Sequence, residues 1–415
     1  MGGKAGAALI SLLYLVIATR VLGPHDYGIL ILVHAYVTAV CGIVEFPAWQ
    51  AIVRYGAEAE EEGGGHRLAR LLRFGSVVEL AGGAVAIVIS MLLAPVVGPR
   101  LGWPPETVWF AIPYSLAVLG SVRSAPAGYL RLIGRFDLIG LHNMVQPLVR
   151  LAGASLALVM GWGLKGFLII WLVAAIAEFA SLWAMGIYHA RRNLGDALLH
   201  PERGSVRDDN PGIWRFLIAS NADITLSELA GRIIPLLIGW VLGPAMAGVF
   251  AVAQRATVVI AQPAQMLGET AYSEFARMVA GGHGGAPLRT ALLRVIGVAL
   301  LVAAPVVLLA GLFPTFVVTL IAGPAYASAG VVMVWLLAGR MIALIGPPCS
   351  SALSAMGRPG LSMGANLFAG LIFLPALPWL LHQWGLVGAG VQAVGQAIVA
   401  SCLLGGLVWR RSLAH

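Results

Sequence analysis

The chain has 415 residues, of which 59% are hydrophobic and 11% charged, whereas a soluble domain carries about a quarter of its residues as Asp, Glu, Lys and Arg. With a mean hydropathy of +0.89 this excludes an ordinary soluble enzyme, and 52 Gly and 23 Pro in apolar sequence fit a polytopic helical membrane protein. A net charge of +8, from 26 Lys+Arg against 18 Asp+Glu, makes the placement of the basic residues informative.

Crossing about 30 Å of hydrocarbon takes roughly 20 apolar residues, and twelve such windows follow one another: 5–22, 28–51, 74–97, 108–130, 138–160, 165–189, 214–242, 246–268, 290–312, 328–352, 361–382 and 386–409. The first follows Lys4 and lacks a small-residue cleavage site, so it reads as a retained helix rather than a signal peptide. With the N-terminus inside, eighteen basic residues fall in cytoplasmic segments and three (Arg20, Arg100 and Lys165) on the other side. This asymmetry predicts two cytoplasmic termini and an even number of spans. It also makes the net charge an orientation signal, with no nucleic acid implied. Cys41, Cys349 and Cys402 lie within spans and read as packing residues. No HExxH, CxxC, P-loop or GxSxG motif occurs, and Gly388-Ala389-Gly390 reads as helix packing through small residues. The pattern calls for no cofactor and no metal.

Comparing the chain with itself at an offset near 220 pairs Val21-Leu22-Gly23-Pro24 and Gly28 with Val241-Leu242-Gly243-Pro244 and Gly248. In the same order, Gly134-Arg135 pairs with Gly357-Arg358, and Trp162-Gly163-Leu164 with Trp384-Gly385-Leu386. This predicts an N-terminal six-helix bundle over 1–189, a cytoplasmic linker over 190–213 and a C-terminal six-helix bundle over 214–415. The fold class is an all-α polytopic membrane protein, with about twelve transmembrane helices in two parallel six-helix repeats around a central cavity.

Val21-Leu22-Gly23-Pro24-His25-Asp26-Tyr27-Gly28, Val53-Arg54-Tyr55, Leu130-Arg131-Leu132-Ile133-Gly134-Arg135-Phe136 and Ala251-Val252-Ala253-Gln254-Arg255 carry a further signal. Together they resemble the bacterial oligosaccharide flippases, the polysaccharide-transporter branch of the multidrug/oligosaccharidyl-lipid/polysaccharide exporter superfamily. The resemblance departs at Glu45-Phe46-Pro47, where an acid, an apolar residue and Gly are common, and at Gly231, where an acid is common. It implies a multi-pass protein of the bacterial inner membrane. It also implies as substrate an anionic lipid-linked oligosaccharide for surface polysaccharide biosynthesis.

An ionisable residue at the centre of a span costs roughly 2.5–3.5 kcal/mol, so interior charges must face protein or water. Arg123, Arg150, Arg232, Arg255 and Arg340 are the interior cations. Helical spacing places Asn221, Thr225, Glu228 and Arg232 on one face, and His34, Thr38, Cys41 and Glu45 on another. Asn143, Gln146 and Arg150 share a face, as do Arg255, Gln262, Gln265 and Glu269, while Gln392 and Gln396 form an i,i+4 pair. Because a guanidinium fork suits phosphate oxygens, Arg150, Arg255, Arg232, Arg123 and Arg340, with Asn221, Gln146 and Gln262, are the substrate-binding candidates. The alternative is that each arginine neutralises a buried acid, Glu45, Glu79, Glu178, Asp223 or Glu228. A carboxylate in a low-dielectric cavity can carry a proton, which makes Glu45, Asp223, Glu228 and Glu178 candidates for coupling to H+ or Na+. Residues 58–73, with Arg67, Arg70 and Arg73 beside three leucines, read as an interfacial helix for anionic head groups.

The expected function is transport, with no enzymatic step: flipping of a polyprenyl-pyrophosphate-linked oligosaccharide from the cytoplasmic to the outer leaflet by alternating access, alongside polysaccharide assembly proteins. A multidrug or organic-cation antiporter of the same superfamily ranks second. A membrane glycan polymerase or ligase ranks third, since the longest loop on the outer side is about ten residues around Pro99 to Glu106.

Overall fold

The computed structural model of the chain describes residues 2–44, 48–61, 64–199, 204–270, 275, 277–279 and 285–412. Among them the structure is helical, without strands. Two compact units divide the chain, Met1–Leu236 and Leu237–His415.

The first unit opens with α1 (Gly2–Val44), which is broken at Gly23, where φ is 69° and ψ 176°. Only glycine adopts that conformation without strain, and Pro24 next to it has no N–H to continue the helical ladder. The Val-Leu-Gly-Pro motif thus turns one 43-residue helix into two spans. An amphipathic helix, α2 (Trp49–Glu61), then buries Ala51, Ile52 and Tyr55. It lies against α3 (Gly65–Arg100) and α5 (Ser124–Leu132). Gly128 permits this approach, because a Cβ there would come 2.9 Å from the Trp49 Cα.

The fourth span is discontinuous. It runs from α4 (Pro105–Tyr114) through a 3-10 segment (Ser115–Gly120) to α5. The N-terminus of α5 leaves donors exposed inside the unit, and the fully buried Glu79 of α3 accepts from the backbone N–H groups of Ser124 and Ala125, the latter at 2.6 Å. A carboxylate at a helix N-terminus gains both hydrogen bonds and the helix dipole. Two long helices complete these six spans, α6 (Phe136–Met160) and α7 (Leu164–Leu194). They pack closely at Gly153, where a Cβ would sit 2.5 Å from the Ile170 side chain.

Two short helices, α8 (Asp196–Leu199) and α9 (Val206–Asp209), precede α10 (Ile213–Leu242). This stretch is docked. Arg70 binds Asp209 at 2.7 and 2.8 Å, Arg67 donates to the Asn210 Oδ1 at 3.3 Å, and Ile213 and Leu217 pack on Ala51, Tyr55 and Leu71. Two of the three arginines expected at lipid head groups therefore hold the connecting segment.

The second unit contains α11 (Pro244–Thr270), α12 (Ala286–Leu312), α13 (Pro314–Ala322), α14 (Ala329–Ala343), α15 (Gly346–Ala355), α16 (Pro359–Trp384) and α17 (Val387–Ser412). Its helix α17 packs on α16 and α14 through small residues, since a Cβ at Gly388 would overlap the Leu380 carbonyl and one at Gly390 the Trp335 side chain. Cys41 and Cys349 are buried, Cys402 is exposed, and none of the three is joined in a disulfide.

The repeat found in the sequence recurs as local geometry. Gly134 and Gly357 both have positive φ, 70° and 72°. Each ends a helix with the same turn, Arg135 donating to Leu130 O at 2.8 Å and Arg358 to Leu353 O at 2.9 Å. Gly23 and Gly243 share the positive φ that interrupts the chain after the first span of each repeat.

Removing the carboxylate at Glu79 exposes buried donors. Glu79→Ala is expected to cost about 2 kcal/mol or more, and Glu79→Gln, which keeps an acceptor, less. Unfolding in mixed micelles measures the ordering.

Candidate functional site

The polar residues of the first unit gather where α1, the broken fourth span, α6 and α7 meet. Helical spacing of four puts His142, Gln146 and Arg150 on one face of α6, opposite Trp171, Glu178 and Ser181 of α7. The buried Glu178 is the hub. Its Oε1 pairs with the Arg123 guanidinium and its Oε2 accepts from Gln146 Nε2 at 2.8 Å. His142, also buried, lies 3.3 Å from Arg123 Nη1 through Nε2 and 2.9 Å from Ser181 Oγ through Nδ1. Since the guanidinium is donor-only, this geometry suits the imidazole tautomer with its proton on Nδ1, donated to Ser181. The charge of Glu178 is thereby matched inside the unit.

Two helical turns along α6 from His142, Arg150 is 7% exposed and its guanidinium stands 3.9 Å from the Trp171 ring centroid, a cation–π contact. The Trp171 indole N–H donates to the Tyr14 hydroxyl. His34 stands edge-on to Trp171, with centroids 4.7 Å apart, and its Nδ1 is 2.9 Å from the Tyr114 hydroxyl. Arg150 thus stacks on the Trp171 ring of an aromatic cluster built from α1, α4 and α7.

The other candidates occupy separate positions. Arg232 on α10 is half-buried and donates to the Thr38 carbonyl of α1 at 2.8 Å, in space that Gly42 leaves open. Asn221 is buried on the same helix. In the second unit, Arg255 on α11 is exposed and Arg340 on α14 half-buried. Gln392 donates to Gln396 at 2.7 Å, as their spacing predicts. Glu45 lies outside the described residues, as do the side chains of Asp223, Glu228 and Gln262. Among the described residues no cluster of His, Cys, Asp and Glu is arranged to hold a metal ion.

The spacing places Asn143, Gln146 and Arg150 on one stripe of α6. His142, four residues before Gln146, joins that network without having been singled out. Trp171, Tyr14 and Tyr114 gave no signal of their own, because aromatic residues at helical spacing look the same in a lipid-facing stripe. The pairing of Arg123 with Glu178 joins residues 55 apart on two elements, which no i,i+4 rule detects.

Residues 1–273 match the sequence profile of the polysaccharide biosynthesis protein family. The chain belongs to that family. It is 29% identical over 273 residues to the inner membrane protein YghQ of Escherichia coli K12, covering 66% of this chain and 77% of YghQ. A solved structure titled as the inward-facing conformation of a multidrug resistance MATE family transporter of the MOP superfamily matches with a TM-score of 0.79 at 17% identity, covering 98% of this chain and 94% of that one. The lipid II flippase MurJ in an inward closed conformation matches with a TM-score of 0.70 at 13% identity, covering 99% and 90%. At these identities the likeness is one of fold. This family member is accordingly an all-helical, polytopic membrane protein with a fold found among MOP-superfamily transporters.

Breaking the buried pair from one side strands a charge. Arg123→Ala is expected to cost about 3 kcal/mol, the low end for a buried pair, because the Arg123 side chain is 38% exposed. The double variant Arg123→Ala/Glu178→Ala should cost less than the sum of the singles. A double-mutant cycle read by unfolding in micelles tests this.

Proposed function

We propose that the protein is an inner-membrane flippase that moves a polyprenyl-pyrophosphate-linked oligosaccharide from the cytoplasmic to the outer leaflet by alternating access, for surface polysaccharide assembly. Membership of a polysaccharide biosynthesis family, by the match over residues 1–273, is the observation that carries this reading. The transporter fold supports it, and so does a charged network kept inside a membrane-embedded unit, because such groups are expensive there and mark transport pathways in general.

In this reading the arginines have different roles. Arg255, exposed on α11 of the second unit, is the cation available to a diphosphate, and Arg340 of that unit and Arg232 of the first remain separate candidates. Arg150, buried on the Trp171 ring, positions α6 against α7. Glu178 is the coupling candidate supported by position: a buried carboxylate already hydrogen-bonded to Gln146 and paired with Arg123 exchanges a proton by repartnering with His142, whose Nε2 is 4.0 Å away. Glu45, Asp223 and Glu228 complete that set. Transport of this kind requires no covalent chemistry and no cofactor.

In proteoliposomes carrying a fluorescent lipid-linked oligosaccharide, wild-type protein should expose the label on the opposite leaflet. Arg255→Ala should slow this at least about tenfold, the loss of one charge-assisted contact, and Glu178→Gln should abolish its dependence on a pH gradient. Efflux of organic cations without movement of the glycolipid would instead favour the antiporter reading.

A further inference from the structure

The arginine-rich end of the first unit carries a cleft of about 260 Å³ that the transport reading does not use. Its walls come from α3 (Leu72, Val77), α5 (Pro126, Tyr129) and α7 (Trp183, Ile187). The floor is closed where Gly186 lets α7 touch α5: a Cβ there would lie 2.5 Å from Pro126 Cβ. Val77 is 65% exposed and Ile187 41%, so the mouth opens along membrane-facing apolar surface.

The rim is cationic. Arg73 lines the cleft and donates to the Leu198 carbonyl of α8, which closes one side. From Ile187 the surface continues along α7 past Tyr188 to Arg191 and Arg192, both exposed. Among the described residues no carboxylate lines either part. The sequence had assigned Arg67 and Arg70 to head groups together with Arg73. Those two bind Asn210 and Asp209 instead, so the cations at this end are Arg73 on the apolar slot and Arg191 and Arg192 on the adjoining surface of α7.

We propose that this cleft binds an anionic phospholipid of the surrounding leaflet, its phosphate on the three arginines and part of one acyl chain in the slot. At about 260 Å³ the slot is smaller than the roughly 300–1,000 Å³ of a site for a whole drug-sized ligand. It therefore takes a chain segment and leaves the head group at the rim. Basic pockets between transmembrane helices near the membrane surface recognise acidic head groups in this way. A lipid held here would bridge α3, α5, α7 and α8, and so brace the segment that leads into α10.

The test is lipid retention by the detergent-purified full chain, measured by native mass spectrometry after exchange into phosphatidylglycerol or phosphatidylcholine of identical chains. Wild-type protein should retain phosphatidylglycerol about tenfold or more over phosphatidylcholine, from about a fivefold gain per arginine near an anionic surface, partly lost in detergent. Arg73→Ala/Arg191→Ala/Arg192→Ala should remove the preference. Ile187→Trp, which fills the slot from its exposed side, should lower retention of both lipids, and Val77→Trp serves the same purpose if the first variant misfolds. Equal retention of the two lipids by wild type, or an unchanged preference in the arginine variant, overturns the proposal. So does displacement of bound phosphatidylglycerol by an equimolar polyprenyl phosphate, which would assign the cleft to the tail of a prenyl-linked substrate.

Discussion

The first unit depends on satisfying a few ionised groups where water cannot reach them. Glu178 on α7 has its charge met by Arg123 and one oxygen met by Gln146, and Glu79 on α3 is met by the backbone donors that begin α5. Both acids act on the same discontinuity. Arg123 is the residue just before α5, and Ser124 and Ala125 are its first two. A span broken inside a membrane would otherwise leave orphan N–H groups at several kcal/mol each. One carboxylate fills the break and the other fixes the arginine beside it, so the broken fourth span, α3, α6 and α7 are held as one structure.

That arrangement links stability to chemistry. In the coupling role proposed for Glu178, a change in its protonation would shift the partners of Arg123, His142 and Gln146, which share one network with it. Arg150, buried against the Trp171 ring, makes a separate contact between α6 and α7.

The elements were readable because each has a local cause. Apolar windows mark twelve candidate spans, and among the described residues nine helices are long and apolar enough to cross a membrane; Val-Leu-Gly-Pro at 21–24 and 241–244 marks the breaks where positive φ at Gly23 and Gly243 requires glycine. The site was readable only in part, because its pairings run between elements. Glu178 and Arg123 were each visible as expensive interior charges, but their distance along the chain hid their union. Arg67 and Arg70 looked like head-group arginines by composition, and only the docking of Asp209 and Asn210 against α3 reassigns them.

The central claim is that this chain moves a lipid-linked glycan between leaflets. A chromosomal deletion tests it most directly, with spheroplasts and inverted inner-membrane vesicles probed by an impermeant lectin against the lipid-linked oligosaccharide. The account predicts that the glycan accumulates on the cytoplasmic face in the deletion strain and returns to the outer face when the wild-type chain is restored. An unchanged leaflet distribution in the deletion strain would contradict it.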